Sequence, residues 1–230
     1  MMVILALLYL CCLHHVLALN DVMPNSSDGS SVNSGYQLQY YHEALTSGES
    51  NATNDFGWRI WGGHFISIAQ APYTVLYGWY CGGTLIASNW VLTVAHCDEE
   101  FSIHAGSEFQ ESTDEYAVKR HVYHPNWSDE SKEHYFDYDM LLLELEESVP
   151  DTDYTRPIAL GGLEDINPGQ LVSISGWGGS TYKGDSGSPV VANNKLVGVV
   201  SWSFHCEPLL IFSNVVMAKD WITSTTGIKV

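Results

Sequence analysis

The sequence predicts an all-β fold in which the strands run antiparallel. From Phe65 onward, short runs of apolar or alternating residues are separated by turn residues, a pattern typical of β-strands. The pair Asn193-Asn194 stands between two such runs and predicts a two-residue hairpin turn. Residues 218–223 are expected to form a short closing helix, with Trp221 and Ile222 packed inward.

The predicted strands fall into two groups on either side of a proline-marked link at residues 149–157. The first group could close one six-stranded barrel and comprises residues 73–76, 84–87, 90–94, 101–105, 116–122 and 140–145. The second group comprises residues 171–175, 188–191, 196–202 and 210–215. We therefore expect two β units that follow each other along the chain.

The amino-terminal segment, residues 1–19, is apolar apart from His14 and His15, and it ends near the small residues that a signal peptidase prefers. A membrane anchor is the alternative interpretation. The run has no flanking lysine or arginine and the next segment is polar, so we favour a cleaved secretory signal. The protein is accordingly expected to be secreted and extracellular.

Residues 20–59 carry little apolar material, because they are rich in serine, asparagine, aspartate and glycine. Such a composition predicts a flexible propeptide rather than part of the core. Three N-glycosylation patterns begin at Asn25, Asn51 and Asn126, and they matter only in a secreted chain.

The charge is strongly acidic, with 27 acidic against 9 basic residues and a formal net charge of -18. A field of this sign repels phosphate backbones and anionic membrane surfaces, which argues against both as partners. Acidic residues crowd between Asp98 and Asp165, where a calcium site is an alternative to a solvated acidic face. We expect the solvated face, and no metal or cofactor.

A glycine-flanked turn, Gly-Asp-Ser-Gly-Ser-Pro, would hold the hydroxyl of Ser186 clear of its neighbours. A serine hydroxyl becomes a good nucleophile only when a base takes its proton and a third group orients that base. His96 follows one apolar run and Asp139 directly precedes another, with Asp137 as its competitor. The turn alone is ordinary in composition, so the hypothesis depends on all three motifs and their order, His, Asp, Ser.

With these motifs in this order, the chain resembles the trypsin/chymotrypsin-like serine proteases from Arg59 to about Ile222. The resemblance implies two antiparallel six-stranded Greek-key barrels with a short carboxy-terminal helix. It also implies a monomeric endopeptidase that hydrolyses polypeptides through an acyl-enzyme. A catalytically inactive homologue that acts as a binding protein is the alternative. A small disulfide-rich inhibitor is a more distant one, because such scaffolds carry many more cysteines.

The resemblance assigns roles to residues of the serine site. His96 is the general base, Asp139 orients it, and the backbone amides of Gly184 and Ser186 form the oxyanion hole. The specificity pocket falls on Ser180, Ser201, Trp202 and Ser203. Ser180 is not the carboxylate that a pocket for basic side chains would need, so we do not expect trypsin-like specificity.

The resemblance also implies how the protein is activated. An activating protease cuts after Arg59, and the new amine of Ile60 pairs with Asp185, as in a zymogen whose peptidase domain spans residues 60–230. Trp61 departs from the smaller aliphatic residue usual at this place. The resemblance further implies a disulfide between Cys81 and Cys97, beside the histidine to which it assigns the role of base.

One block of the family pattern is missing between residues 178 and 184. Only five residues, 179–183, separate the Gly-Trp-Gly motif from the serine turn, where the family carries further strands and a disulfide. The cysteine that would pair with Cys206 falls in that block, at the place of Tyr182. The second barrel is therefore expected to be incomplete, with unpaired edges.

Overall fold

The computed structural model of the protein describes residues 36–40, 65–128, 138–177, 185–203 and 209–229. Its strands are β1 Tyr36–Tyr40, β2 Thr74–Tyr77, β3 Cys81–Ala87, β4 Trp90–Thr93, β5 Ser102–Ala105, β6 Asp114–Tyr123, β7 Leu141–Leu145, β8 Ser173–Ile174, β9 Pro189–Ala192, β10 Lys195–Ser203 and β11 Leu209–Asn214. Within these ranges there is one α-helix, α1, which spans Lys219–Thr226. The prediction of an antiparallel all-β fold with a closing helix is confirmed.

The first β unit is a closed six-stranded barrel, as predicted. Its strands follow the order β2-β3-β4-β7-β6-β5 around the barrel. Every neighbouring pair in it is antiparallel. The interior is filled by fully buried aliphatic side chains that include Val75, Leu85, Val91 and Ile103. This filled interior makes the barrel a rigid support for whatever its strand ends carry.

Residues 90–92 of β4 and 141–143 of β7 are buried on both faces, which explains why the chain is continuously apolar there rather than alternating. Leu141 and Leu143 of β7 face the barrel interior. Leu142 belongs instead to a second cluster, together with Leu196 and Val199 of β10. The same short strand therefore contributes to two cores, one inside the barrel and one between the two β units.

The second β unit is a five-stranded open sheet with the order β1-β11-β10-β9-β8. Its β1 strand comes from the segment that the composition predicted to be flexible, and that expectation is wrong for residues 36–40. The five residues pair antiparallel with β11, from Tyr36 opposite Ser213 to Tyr40 opposite Leu209. β11 therefore does not form an edge of this sheet, because β1 pairs with the main-chain groups that an edge strand would leave free.

The hairpin between β9 and β10 turns at Asn193 and Asn194, as predicted. Both residues have positive φ angles, 50° and 60°. Two central residues with positive φ are the geometry of the turn that matches the twist of paired strands, and asparagine tolerates it better than most residues. The turn sets the register in which Lys195 pairs with Ala192.

The α1 helix closes the fold by packing onto the cluster shared by the two units. Ile222 is fully buried and Trp221 is partly buried against the same cluster, so the predicted inward face is confirmed. The helix ends at Gly227, whose φ of 73° lies in the left-handed region that glycine adopts easily. No helix within the described ranges is long and apolar enough to span a membrane.

Asp165 braces the hairpin turn from the loop before β8. Its carboxylate accepts hydrogen bonds from the Gly162 N–H, the Asn193 side-chain amide and the Lys195 ammonium, each at 3.0 Å. These donors favour the charged form, the Gly162 N–H most strongly, and they lower the pKa of Asp165 to about 2. The carboxylate thus binds protons more weakly in the folded protein than in the unfolded chain.

Asp165 should therefore make stability depend on pH in the acid range. Its contribution is fully present above the unfolded pKa, near the usual 3.8, and is lost as the pH falls towards 2. We expect the melting temperature of the wild type to exceed that of Asp165→Asn at neutral pH, and the difference to shrink between pH 4 and 2. Asp153→Asn, at an exposed carboxylate, is the control. Melting curves of Asp165→Asn that stay parallel to the wild type down to pH 2 would contradict this account.

Candidate active site

Three strand ends bring the predicted catalytic residues together. His96 lies in a 3-10 turn, Ala95–Cys97, directly after β4, and Asp139 lies two residues before β7. Because Thr93 at the end of β4 pairs with Leu141 at the start of β7, these two residues are neighbours. The serine turn leads into β9 of the other unit and faces them.

The side chains of these residues form one continuous series of contacts. His96 Nε2 lies 2.9 Å from Ser186 Oγ, and His96 Nδ1 lies 2.7 Å from Asp139 Oδ2. The backbone N–H of His96 also donates to Asp139 Oδ1 at 3.0 Å, so both carboxylate oxygens are bonded to His96. With its proton on Nδ1, the imidazole presents the Nε2 lone pair to the serine hydroxyl.

Asp139 is fully buried, and the hydroxyls of two serines contribute to holding it. Ser201 Oγ donates to Asp139 Oδ2 at 2.5 Å, and Ser213 Oγ donates to the Asp139 main-chain oxygen at 2.8 Å. Burying a carboxylate is costly unless its oxygens are hydrogen-bonded, and the bond from Ser201 adds to those from His96 in offsetting that cost. Ser201 was expected in the substrate pocket, and its bond to Asp139 was not predicted. No role was predicted for Ser213. Both are buried serines within apolar strands, a pattern that calls for a polar partner.

The serine turn is held by both β units. The Gly82 N–H of β3 donates to the Ser186 carbonyl oxygen at 2.7 Å. From the other side, the Gly187 N–H donates to the Val200 oxygen of β10, also at 2.7 Å. Both bonds are made by the single peptide group between Ser186 and Gly187, so they fix the backbone directly after the serine and preorganise the hydroxyl for its contact with His96.

Gly187 cannot carry a side chain in this turn. Its φ of 84° lies in the left-handed region. A Cβ atom on Gly187 would overlap the Gly82 carbonyl oxygen and the Thr93 hydroxyl, which are themselves hydrogen-bonded to each other. The residue after the serine must therefore be glycine for the turn to reach β3.

The predicted disulfide between Cys81 and Cys97 is present and spans a sequence separation of 16 residues. It joins the first residue of β3 to the residue that follows His96. Closing a loop of about this length stabilises a fold by ~3 kcal/mol through the entropy of the unfolded chain. The bridge also restrains the turn that carries His96.

A sequence model of one protein family, described as Trypsin, matches residues 60–183 and 178–222. The chain belongs to the trypsin family. Trypsin 5G1 of Aedes aegypti is 25% identical over an alignment that covers 87% of this chain and 94% of that protein. A trypsin of Phaedon cochleariae is 28% identical, with coverages of 74% and 89%. Human Kallikrein-8 is 25% identical, with coverages of 80% and 91%.

Solved structures confirm the trypsin-type fold. Mouse neuropsin, a serine protease, superposes with a TM-score of 0.62 at 24% identity, covering 68% of this chain and 95% of neuropsin. A structure of GrC gives a TM-score of 0.63 at 22% identity, with coverages of 73% and 99%. The two pieces of the family match meet at residues 178–183, where the sequence predicts a missing block. The missing block itself stays a prediction.

The remaining residues that the trypsin resemblance singled out fall into two groups. Trp202 is about one-third exposed on β10, Ser203 ends that strand, and Asp185 is half-buried next to the serine. The Asn126 side chain is exposed. The others lie outside the described residues and comprise Arg59, Ile60, Ser180, Gly184, Asn25 and Asn51, together with Asp137 and Cys206.

His124 supports the segment that carries Asp139 in this trypsin-type site. Its backbone N–H donates to the Met140 oxygen at 3.0 Å, and its ring lies 4.7 Å from the rings of both Tyr138 and Trp221. Burial lowers the pKa of His124, which keeps the ring neutral at neutral pH. It therefore acts as a packing group between α1 and the segment before β7.

The acidic surface shows no arrangement of metal ligands in the part of the chain that the structure describes. No group of three or more histidine, cysteine, aspartate or glutamate side chains there is placed to hold an ion. Glu144 pairs instead with Lys119 and Arg120 at 2.8 Å each, and Arg156 pairs with Asp151 at 3.0 Å.

Proposed function

We propose that this trypsin-family protein is a secreted serine endopeptidase in which His96, Asp139 and Ser186 form the catalytic triad. The observation that carries the proposal is the unbroken series of contacts from Ser186 Oγ through the His96 ring to the Asp139 carboxylate. Its substrates are polypeptides.

The contacts support the following reaction. Ser186 Oγ attacks a peptide carbonyl carbon while His96 Nε2 takes the hydroxyl proton, and the proton then passes to the leaving amine as the C–N bond breaks. A water molecule next attacks the acyl-enzyme and loses a proton to His96, which returns that proton to Ser186 Oγ as the ester bond breaks and the acid product leaves. Asp139 keeps the imidazole in the required tautomer and stabilises its charged form. The backbone amides of Gly184 and Ser186 are proposed to bind the oxyanion.

Activation is proposed to follow cleavage after Arg59 by another protease, once the signal at residues 1–19 has been removed. The freed Ile60 amine would pair with Asp185, which precedes the nucleophile, and an ion pair in a low dielectric is strong enough to act as a switch. Ser180, Trp202 and Ser203 are the proposed walls of the substrate pocket. The enzyme would act as a monomer outside the cell, with sugars at the three asparagine patterns.

A catalytically inactive protease homologue that binds polypeptides is the second candidate. Two observations favour it: the family match is broken at residues 178–183, and the second sheet is open. Both concern the unit that carries Ser186 and the proposed pocket.

The two candidates are separated by fluorophosphonate labelling of Ser186 after cleavage at Arg59. The active-site proposal predicts covalent labelling of the wild type, none of Ser186→Ala and unchanged labelling of Ser188→Ala. Ser188 is a matched control because its buried hydroxyl has no hydrogen-bond partner among the described residues, so its removal should be tolerated. A soluble, correctly cleaved wild type that takes no label would contradict the proposal and favour the binding protein.

A further inference from the structure

The β1 strand covers an edge of β11 that no other strand among the described residues pairs with. Its five residues pair with β11 along their whole length, in the register that places Leu38 opposite Ile211. From β11 the sheet continues through β10 and β9 to β8, so β1 is the edge strand at one end and β8 at the other. The sequence Tyr-Gln-Leu-Gln-Tyr alternates apolar and polar residues, as a strand with one covered face does.

Activation by cleavage would leave β1 and β11 on different chains. β1 precedes Arg59, so cleavage there separates it covalently from β11. No lysine or arginine precedes Arg59, and a protease that cuts after basic residues leaves the segment whole. Residues 20–59 contain no cysteine, so no disulfide can tether the released segment. Only non-covalent contacts, the main-chain pairing among them, can retain it.

The edge that β1 covers is close to the proposed triad. Ser213 pairs with Tyr36 on one side and with Val199 of β10 on the other. Its hydroxyl donates to the main-chain oxygen of Asp139 at 2.8 Å. The strand that β1 stabilises is therefore the strand that holds the backbone of the triad carboxylate.

We propose that the segment of residues 20–59 stays bound after cleavage as a separate peptide, with residues 36–40 added to the edge of β11. The mature protein is then a complex of two chains, this peptide and residues 60–230. Recognition is by strand addition, in which main-chain hydrogen bonds supply the affinity. The proposal rests on the proposed function only in that cleavage after Arg59 produces the two chains.

The test uses the secreted form of the chain with Ser186→Ala, so that its result does not depend on catalysis. An enteropeptidase site replaces residues 55–59, and the protein is cleaved there and passed over a gel-filtration column in native buffer. We expect the amino-terminal peptide to elute with residues 60–230 in equimolar amount by mass spectrometry. Elution of the peptide at its own small size would overturn the proposal.

A proline scan of Gln37, Leu38 and Gln39 tests the pairing itself. Successive N–H groups of a strand point to opposite sides, and β1 is an edge strand, so proline is tolerated only where the N–H faces solvent. We expect proline either at both Gln37 and Gln39 or at Leu38 alone to reduce retention of the peptide at least tenfold. The other substitution or substitutions should leave retention unchanged. A scan without this alternation would overturn the pairing. Labelling of wild-type Ser186 tests the proposed function separately, because peptide retention is measured on a protein without the nucleophile.

Discussion

Asp139→Asn is expected to lower kcat for peptide hydrolysis by about 10⁴-fold, the size of effect known for this change in a Ser-His-Asp site. The fold should survive, because asparagine has nearly the same shape. The carboxylate accepts bonds from the His96 backbone N–H, the His96 ring and the Ser201 hydroxyl. An amide NH₂ group facing the ring would favour the tautomer with its proton on Nε2, which cannot take a proton from Ser186. Steady-state kinetics of the cleaved protein measures the change.

Asp137→Asn is the matched control for this prediction, because Asp137 is the competing aspartate two residues earlier in the sequence. Its kcat is expected to stay within about twofold of the wild type, because the carboxylate hydrogen-bonded to the His96 ring is that of Asp139 and substitutions outside such a network usually have small effects. If the two variants lost activity equally, or if Asp137→Asn lost more, the assignment of Asp139 would be wrong.

Gly187→Ala is expected to abolish fluorophosphonate labelling and to destabilise the protein by about 2–5 kcal/mol. A non-glycine residue at positive φ costs about 1–2 kcal/mol, and forcing a methyl group into a packed site adds about 1–3 kcal/mol. The methyl would strike the Gly82 carbonyl and the Thr93 hydroxyl, so the turn would move away from β3 and carry Ser186 out of reach of His96. Urea unfolding and labelling rates measure the two effects.

Gly169→Ala separates the clash from the backbone strain. Gly169 has nearly the same φ, 81° against 84°, but a Cβ there would meet nothing within 4 Å. Gly169→Ala should therefore lower the free energy of unfolding only by the cost of a positive φ, about 1–2 kcal/mol, and should leave labelling of Ser186 intact. Equal losses of stability in the two variants would show that β3 does not constrain the serine turn.

The first barrel and the hairpin between β9 and β10 could be predicted from the sequence because their strands and turn carry local signals. Residues 140–143 form an unbroken apolar run, which a strand segment covered on both faces requires, and Asn193-Asn194 encodes its turn through two positive φ angles. These are local properties of the chain. They identified ten strands before any pairing was known.

What the sequence analysis missed depends on contacts between distant residues. The composition of residues 20–59 indicates how few of their side chains can be buried. Residues 36–40 are held by main-chain pairing, which does not depend on side-chain composition. The role of Ser201 depends on where β10 passes Asp139, 62 residues away in the sequence. The alternation in residues 36–40 and the buried serines were visible signals whose partners only the fold supplies.

The serine turn is anchored by Gly82 on one side and Val200 on the other, both outside the short join at residues 178–184. The nucleophile therefore does not take its position from the length of the segment that precedes it. Insertions and deletions can accumulate in that segment without moving the serine away from His96. The scaffold in this way separates the part of a protease that must stay constant from the part that can diversify, so residues 178–184, where the sequence predicts a missing block, are the natural place to graft a new loop.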